Sequence, residues 1–129
     1  METGMKNTAV ITVTEKDTAV FYGSGTLEVY ATPAMAALME NTAMNSVSPY
    51  LSEGEATVGT LLNIKHLSAT PIGCTVSCES ELVEIDGRRL VFKVTARDSA
   101  GLIGEGTHER FIISAEKFMD KTKSKLSKI

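Results

Sequence analysis

The clearest pattern in the chain is a helical spacing of apolar residues between positions 33 and 47. The residues at this spacing are Met35, Leu38, Met39, Met44 and Val47. They would line one face of an α-helix. Thr32 followed by Pro33 favours a helix start, because threonine can cap a helix and proline is tolerated in its first turn. Pro49 predicts the end of the helix. Small residues on this helix should allow close packing, namely Ala34, Ala36, Ala37 and Ala43.

Most of the remaining chain is rich in β-branched residues or alternates between apolar and polar positions, as strands do. Strands are expected at residues 8–14, 56–67, 73–85, 89–97 and 102–114, with a helix over the last fifteen residues. A strand, a long helix and then a meander of four strands favour the α+β class, in which an antiparallel sheet buries the helix. The length suits a single domain over residues 1–129.

Composition narrows the classes of function. With 43% hydrophobic residues, 22% charged residues and a net charge of −3, the chain is typical of a globular protein, and nothing suggests binding to nucleic acid. We expect no membrane segment, because no apolar run approaches the necessary length. We expect no signal peptide, because the N-terminus lacks a basic segment followed by an apolar one. A cytoplasmic location is therefore expected. The lysines within residues 117–128 should form the solvated face of a terminal helix.

Cysteine and histidine positions do not indicate a metal site. Cys74 and Cys78 fall in one expected strand, where four residues would separate them by about 13 Å, too far for a disulfide or a shared metal. We expect reduced thiols packed in the core. The two histidines lack partners at the spacing of zinc fingers or zinc proteases.

Glu40 is the most unusual residue of the expected helix. Its neighbours three and four positions away are Ala36, Ala37, Ala43 and Met44. None of them offers a charge or a good hydrogen-bond partner. Because a carboxylate buried without a partner is costly, Glu40 should serve chemistry or pair with a group distant in sequence. The alternative is that Glu40 faces water beside the small alanines.

The alternation of side chains along the expected strand 56–67 predicts that a histidine points toward the same side as Glu40. In the strand 56–67, the alternating set expected to face the core is Val58, Leu62 and Ile64. His66 has the same parity and should also point inward. The polar set expected to face outward is Thr57, Asn63 and Lys65, with Leu61 as an exception. We therefore expect Glu40 and His66 to meet between helix and sheet, although His66 is alternatively a satisfied core histidine.

Three strings in the sequence carry a family resemblance: VYATPAMAALMENTAMNSVSPYL, EGEATVGTLLNIKHLSATPIG and EGTHERFIISAEKF. Together they resemble the fluoroacetyl-CoA thioesterase type of hot-dog thioesterase, from about Val29 to Phe118, in the same order and with near-identical spacing. The resemblance implies a hot-dog fold, with a long central helix packed on a curved antiparallel sheet. It also implies a homodimer or higher homo-oligomer with active sites at the subunit interface, and hydrolysis of an acyl-CoA thioester without metal or organic cofactor.

The resemblance also implies roles for five residues. Thr32, Glu40 and His66 would be catalytic, while Gly59 and Arg110 would contact the substrate or CoA. Each has a structural alternative. Thr32 is alternatively a plain helix N-cap, Gly59 a strand bulge or bend, and Arg110 a partner in a salt bridge with a nearby acid.

Two mechanisms fit these residues. In the covalent version, Thr32 attacks the thioester carbonyl, His66 takes its proton and Glu40 stabilises the imidazolium. In the direct version, Glu40 or His66 activates a water molecule. Eight residues of helix separate Thr32 from Glu40 by about 12 Å. The loop at Thr32 must fold back, His66 must bridge the gap, or two subunits must assemble the site.

The expected function is hydrolysis of a small or short-chain acyl-CoA. The segment 21–27 departs from the family because it lacks an aromatic residue near Thr26, so fluoroacyl selectivity is not expected. One alternative is a non-catalytic acyl-CoA-binding module. The other is a hot-dog hydratase or dehydratase, which places an aspartate and a histidine near the helix, whereas residues 30–48 contain neither.

Overall fold

Five strands and one long helix organise the structure, a computed structural model in which residues 1–128 are described. In chain order the elements are β1 (Lys6–Thr12), α1 (Ala19–Tyr22), α2 (Thr32–Val47), β2 (Glu55–His66), β3 (Thr75–Asp86), β4 (Arg89–Asp98), β5 (Gly101–Ser114) and α3 (Ala115–Lys123). Each expected strand is present within two residues of its expected ends. No helix of the described residues has both the length and the apolar character needed to span a membrane.

The C-terminal region and the cysteines differ slightly from expectation. Helix α3 ends at Lys123 and continues as a 3₁₀ turn over Ser124–Lys128, and residue 129 lies outside the described residues. Cys78 is buried in β3 as expected. Cys74 precedes that strand, so the expectation that one strand holds both cysteines is wrong. Both are free thiols.

The sheet is antiparallel, with the strand order β1-β3-β4-β5-β2. The expected meander of four strands is therefore wrong at its first link, because β2 pairs with β5 rather than with β3. The connection over residues 67–74 is longer than the two to five residues of a usual hairpin loop. Backbone contacts attach it instead to the segment before α2, including Tyr30 N to Thr70 O at 2.8 Å. As a consequence, β2 forms an edge of the sheet.

Helix α2 packs its apolar face on the sheet. Its buried residues are Ala34, Met35, Met39, Thr42, Ala43 and Val47. The apolar ones belong to a continuous core with residues of β3 and β4 that include Leu82, Leu90, Phe92 and Val94. The expected apolar face is confirmed at Met35, Met39 and Val47, while Leu38 and Met44 are half-buried.

Glycines of β5 bring the helix and a neighbouring strand unusually close. A Cβ at Gly104 would stand 2.6 Å from the sulfur of Met35, and a Cβ at Gly106 would collide with the backbone of Asn63 and Ile64. Neither collision is relieved by moving the end of a flexible side chain alone, because backbone atoms are involved at both positions. Glycine at these two sites thus lets α2 and β2 approach the backbone of β5.

A β-bulge at Thr60 changes which residues of β2 face the helix. The pairing runs from Gly59–Arg110 directly to Leu61–Glu109, so one residue of β2 has no opposite partner. Such an extra residue reverses the alternation of inward and outward side chains. The bulge therefore separates β2 into two parts with different phases.

The expected assignment of inward and outward side chains in β2 is correct after the bulge and wrong before it. Leu62, Ile64 and His66 lie opposite His108, Gly106 and Gly104, on the face toward α2. Before the bulge, Thr57 lies on that face and is only 9% exposed, whereas Val58 is half-buried. The expectation that Val58 points inward and Thr57 outward does not hold, because the extra residue shifts the period.

Candidate active site

Thr32 and His66 form a direct contact between the start of α2 and the end of β2. The Thr32 hydroxyl lies 2.8 Å from Nδ1 of His66. Thr32 is the first residue of the helix, the cap position belongs to Ala31, and no side chain caps this end. The alternative that Thr32 is a plain N-cap is therefore wrong. Its hydroxyl is oriented toward an imidazole, which can act as a base for it.

The Thr32–His66 pair opens onto a cavity of about 310 Å³. The cavity is lined by Ala19, Ser24, Val29, Tyr30, Thr32, His66, Leu67, Ser68 and Ala69. Tyr30 packs edge-on against the imidazole, with ring centroids 6.4 Å apart. Burial lowers the pKa of His66, and the backbone of Ser68 partly offsets this effect. The neutral imidazole, the form able to accept a proton from Thr32, is thus favoured.

Glu40 lies near a different part of β2. A Cβ built at Gly59 would be 3.2 Å from Oε2 of Glu40, 3.2 Å from Cε1 of His108 and 3.5 Å from Nη1 of Arg110. The carboxylate therefore faces the sheet at Gly59, and the missing side chain of the glycine leaves space beside it. A smaller cavity, of about 240 Å³, opens beside Glu40, Gly59 and His108.

Arg110 is buried and held within its own chain. It is 6% exposed and donates from Nε to the Thr57 hydroxyl at 2.8 Å and from Nη2 to the Thr57 carbonyl at 2.9 Å. Burial lowers the pKa of Arg110, and the charge of Glu40 partly offsets this effect. Contact with CoA phosphates stays a prediction for Arg110. Its surroundings favour a role beside Glu40.

His108 completes the group around Glu40. Its Nδ1 lies 2.8 Å from the carbonyl of Leu61, its Nε2 lies 3.2 Å from Nη1 of Arg110, and its ring stacks on Phe92. Burial lowers the pKa of His108. The hydrogen bond to the Leu61 carbonyl partly offsets this effect, while the positive charge of Arg110 adds to it. The sequence places His108 on the same strand face as Arg110, but it gives neither His108 nor Thr57 a role in the site. The interruption of the alternation at Gly59 and Leu61 was the available signal for Thr57.

The structure thus divides the five expected site residues of one chain into two groups. Thr32 and His66 form one group, and Glu40, Gly59 and Arg110 form the other. The expected meeting of Glu40 and His66 does not occur within one chain. Thr32 and Glu40 lie at the two ends of an eight-residue helical stretch, about 12 Å apart. Gly59 and His66 are likewise separated along β2 by roughly 20 Å.

Comparisons with known proteins identify close relatives. A family model described as fluoroacetyl-CoA-specific thioesterase matches residues 13–116. A fluoroacetyl-CoA thioesterase from Streptantibioticus cattleyicolor is 45% identical over 98 residues, which correspond to 76% of this chain and 70% of that protein. The range matched by the family model contains all five expected site residues, Thr32, Glu40, Gly59, His66 and Arg110.

Solved structures agree with these matches. The fluoroacetyl-CoA thioesterase FlK is similar at a TM-score of 0.92 with 38% identity, covering 97% of each chain. A FlK mutant in complex with acetyl-CoA is similar at 0.92 with 37% identity, covering 97% of this chain and 98% of that chain. A hot-dog-like protein from Thermanaerovibrio acidaminovorans shares the fold at 0.89 with 22% identity, covering 97% and 93%. The expected hot-dog fold is confirmed.

Acidification should destabilise the fold through the two histidines. Both have pKa values below the usual 6.5, so the unfolded chain binds more protons than the folded chain just below that pH. The free energy of unfolding should therefore fall as the pH drops from 6.5 toward the lowered values. Urea denaturation at several pH values would measure this change. The variant His108→Gln should show a shallower decrease, and an equal decrease in this variant would exclude a contribution from His108.

Proposed function

We propose that this chain, which belongs to the fluoroacetyl-CoA-specific thioesterase family and hydrolyses acyl-CoA thioesters, acts on a substrate with a small or short acyl chain. Hydrolysis to the free acid and CoA would use Thr32, Glu40 and His66. We propose further that two copies of the chain assemble each active site. The observation that carries the proposal is the 2.8 Å contact between the Thr32 hydroxyl and His66.

The chemistry begins at this contact. In the covalent route, Oγ1 of Thr32 attacks the thioester carbonyl carbon while Nδ1 of His66 accepts the hydroxyl proton. The tetrahedral intermediate then breaks its carbon–sulfur bond, and the CoA thiolate takes the proton from His66 as it leaves. Water, activated by the same imidazole, hydrolyses the acyl-threonine ester and restores the hydroxyl. In the direct route, His66 or Glu40 activates a water molecule and Thr32 positions the reactants.

A second copy of the chain provides a way to unite the two groups. The middle of β2 is an unpaired edge at which Leu61 and Leu62 are 43% and 36% exposed. Antiparallel pairing of two β2 edges about a two-fold axis near Leu62 and Asn63 would bring Gly59 opposite the partner's His66, because the two residues are equally distant from that axis. The exposed leucines would then be buried.

In such a homodimer, Glu40 of one copy would act on the partner's His66. Nε2 of His66 is buried and has no hydrogen-bond partner among the described residues. When Nδ1 accepts the Thr32 proton, Nε2 carries a hydrogen that needs an acceptor. A carboxylate brought to this nitrogen would stabilise the imidazolium, as in Ser-His-Asp triads. Gly59 would leave room beside it for the acyl group, and Arg110 would support Glu40 from behind.

The size and lining of the cavity support a small acyl group. The walls near Thr32 include Ala19, Val29 and Ala69, and the whole cavity measures about 310 Å³. Phe21 and Tyr22 are 63% and 46% exposed and are absent from the lining among the described residues. The aromatic residue that does line this cavity, Tyr30, packs edge-on against His66. Since neither Phe21 nor Tyr22 contributes to the pocket of one chain, we propose that the enzyme does not select strongly for a fluorinated acyl group.

We also propose that residues 1–129 form one thioesterase domain and that the protein is cytoplasmic. The strands and α2 share a continuous buried core, which supports the first proposal. Two free cysteines, Cys74 and Cys78, are typical of a protein in a reducing compartment.

The catalytic assignment predicts large effects of single substitutions. Thr32→Ala, Glu40→Gln and His66→Ala should each lower kcat by about 100-fold or more, because each removes a group that acts on the reacting atoms. A thiol-release assay with acetyl-CoA and short acyl-CoA esters would measure this loss. Thr75→Ala, at an exposed position of β3, is the matched control and should retain wild-type activity.

The same assay also tests the proposal as a whole. Equal background rates for the wild type and all three variants would contradict it. Mass spectrometry separates the two routes, since an acyl group trapped on Thr32 supports the covalent one and full activity of Thr32→Ala excludes it.

Acyl selectivity provides an independent prediction. We expect kcat/KM values for fluoroacetyl-CoA and acetyl-CoA to agree within about tenfold, since neither Phe21 nor Tyr22 lines the pocket to discriminate between two acyl groups of similar size. Longer straight-chain esters should be poorer substrates as they exceed the cavity. A preference of several hundredfold for the fluorinated ester would show that another part of the site recognises fluorine.

A further inference from the structure

A chain of buried polar groups runs behind Gly59 and ends beside Glu40. The carbonyl of Leu61 contacts His108, His108 contacts Arg110, and Arg110 holds Thr57 through two hydrogen bonds. His108 is 1% exposed and Arg110 is 6% exposed. Buried groups of this polarity are costly unless they are hydrogen-bonded. Their arrangement therefore has to be explained by what it holds in place.

The contacts determine the hydrogen positions on His108. A guanidinium has only donors, so Nε2 of His108 must accept from Nη1 of Arg110 at 3.2 Å. Nδ1 then carries the hydrogen and donates it to the Leu61 carbonyl at 2.8 Å. His108 is thus a neutral imidazole that joins the bulge region of β2 to the guanidinium. A protonated ring would have no acceptor for Nη1 of Arg110, and its positive charge would repel that of the guanidinium.

Three contacts leave the guanidinium little freedom. Nε and Nη2 are directed to Thr57, and Nη1 is directed to His108. Nη1 of Arg110 and Oε2 of Glu40 both lie within 3.5 Å of the point where a Cβ at Gly59 would stand. The fixed positive charge therefore lies near the carboxylate, whose own charge partly offsets the lowering of the Arg110 pKa. The two opposite charges attract each other.

From this arrangement we propose that His108 is a positioning residue, which holds Arg110 so that the guanidinium keeps the carboxylate of Glu40 aimed past Gly59 at the reacting groups. The inference rests on the proposed role of Glu40 in thioester hydrolysis. His108 itself does not touch the substrate. Without its acceptor nitrogen, the Nη1 end of Arg110 loses a partner, and Glu40 loses a fixed neighbour.

Two substitutions separate the two contacts of His108. In His108→Asn, the amide nitrogen takes the place of Nδ1 and keeps the contact with the Leu61 carbonyl, but no acceptor reaches Arg110. In His108→Gln, the amide oxygen takes the place of Nε2 and keeps an acceptor for Arg110. Each variant is measured by steady-state kinetics with acetyl-CoA and by thermal unfolding. Glu109→Gln, on the opposite face of the same strand, is the control.

We expect His108→Asn to lower kcat by about tenfold or more with little change in KM, since a displaced catalytic group costs turnover. His108→Gln should keep kcat within about threefold of the wild type. In a Glu40→Gln background, His108→Asn should produce no further loss, because the two residues act through one pathway. Glu109→Gln should retain wild-type kinetics.

Three results would overturn the proposal. If His108→Asn preserves kcat and His108→Gln lowers it, the histidine acts only through its hydrogen bond to the Leu61 carbonyl at the bulge. If His108→Asn raises KM at unchanged kcat, Arg110 binds the substrate and does not position Glu40. If the losses multiply in the Glu40→Gln background, His108 acts independently of Glu40. Wild-type thioesterase activity is measured in the same series, so a failure of the proposed function is recognised separately.

Discussion

The rigid length of α2 constrains how the site must be built. Thr32 and Glu40 lie on one continuous helix, Thr32–Val47, and eight residues of helix separate them by about 12 Å. A carboxylate can support an imidazole only by direct contact. Since His66 lies at Thr32 and not at Glu40, a single chain holds two incomplete groups, one near each end of this stretch. The proposed pairing of two β2 edges would supply each group with the other.

The environment of Glu40 shows how the sheet accommodates a charged residue on an otherwise apolar helix. The bulge at Thr60 turns Thr57 inward, where it receives Arg110. The missing side chain of Gly59 leaves space beside the carboxylate, His108 and the guanidinium. Removing one partner of such a buried set typically costs about 1–3 kcal/mol. Local features that weaken an ordinary strand, a glycine and a bulge, thus create a polar site between helix and sheet.

Much of the fold follows from the sequence, and less of the site does. Helix α2 and the strands were recognised from local periodicity, because each buries one face. Two errors had non-local causes. The pairing of β2 with β5 depends on the path of a connection, and the inward turn of Thr57 depends on a bulge that only Gly59 and Leu61 suggested. Contacts such as His108 with Arg110 involve register and rotamers, which periodicity does not specify. Glu40 and His66 are apart in one chain because His66 contacts Thr32, which lies eight helical residues before Glu40.

Subunit complementation tests the shared site most directly. Thr32→Ala and Glu40→Gln chains carrying different tags are co-expressed, and the mixed species is isolated by two affinity steps. In a two-fold dimer with a shared site, one of its two sites receives intact Thr32 and His66 from one copy and intact Glu40 from the other, so the mixed dimer should show about half the wild-type activity. Activity no higher than that of the Thr32→Ala or the Glu40→Gln protein alone would contradict the shared site. Thr32, Glu40 and His66 would then act within one chain.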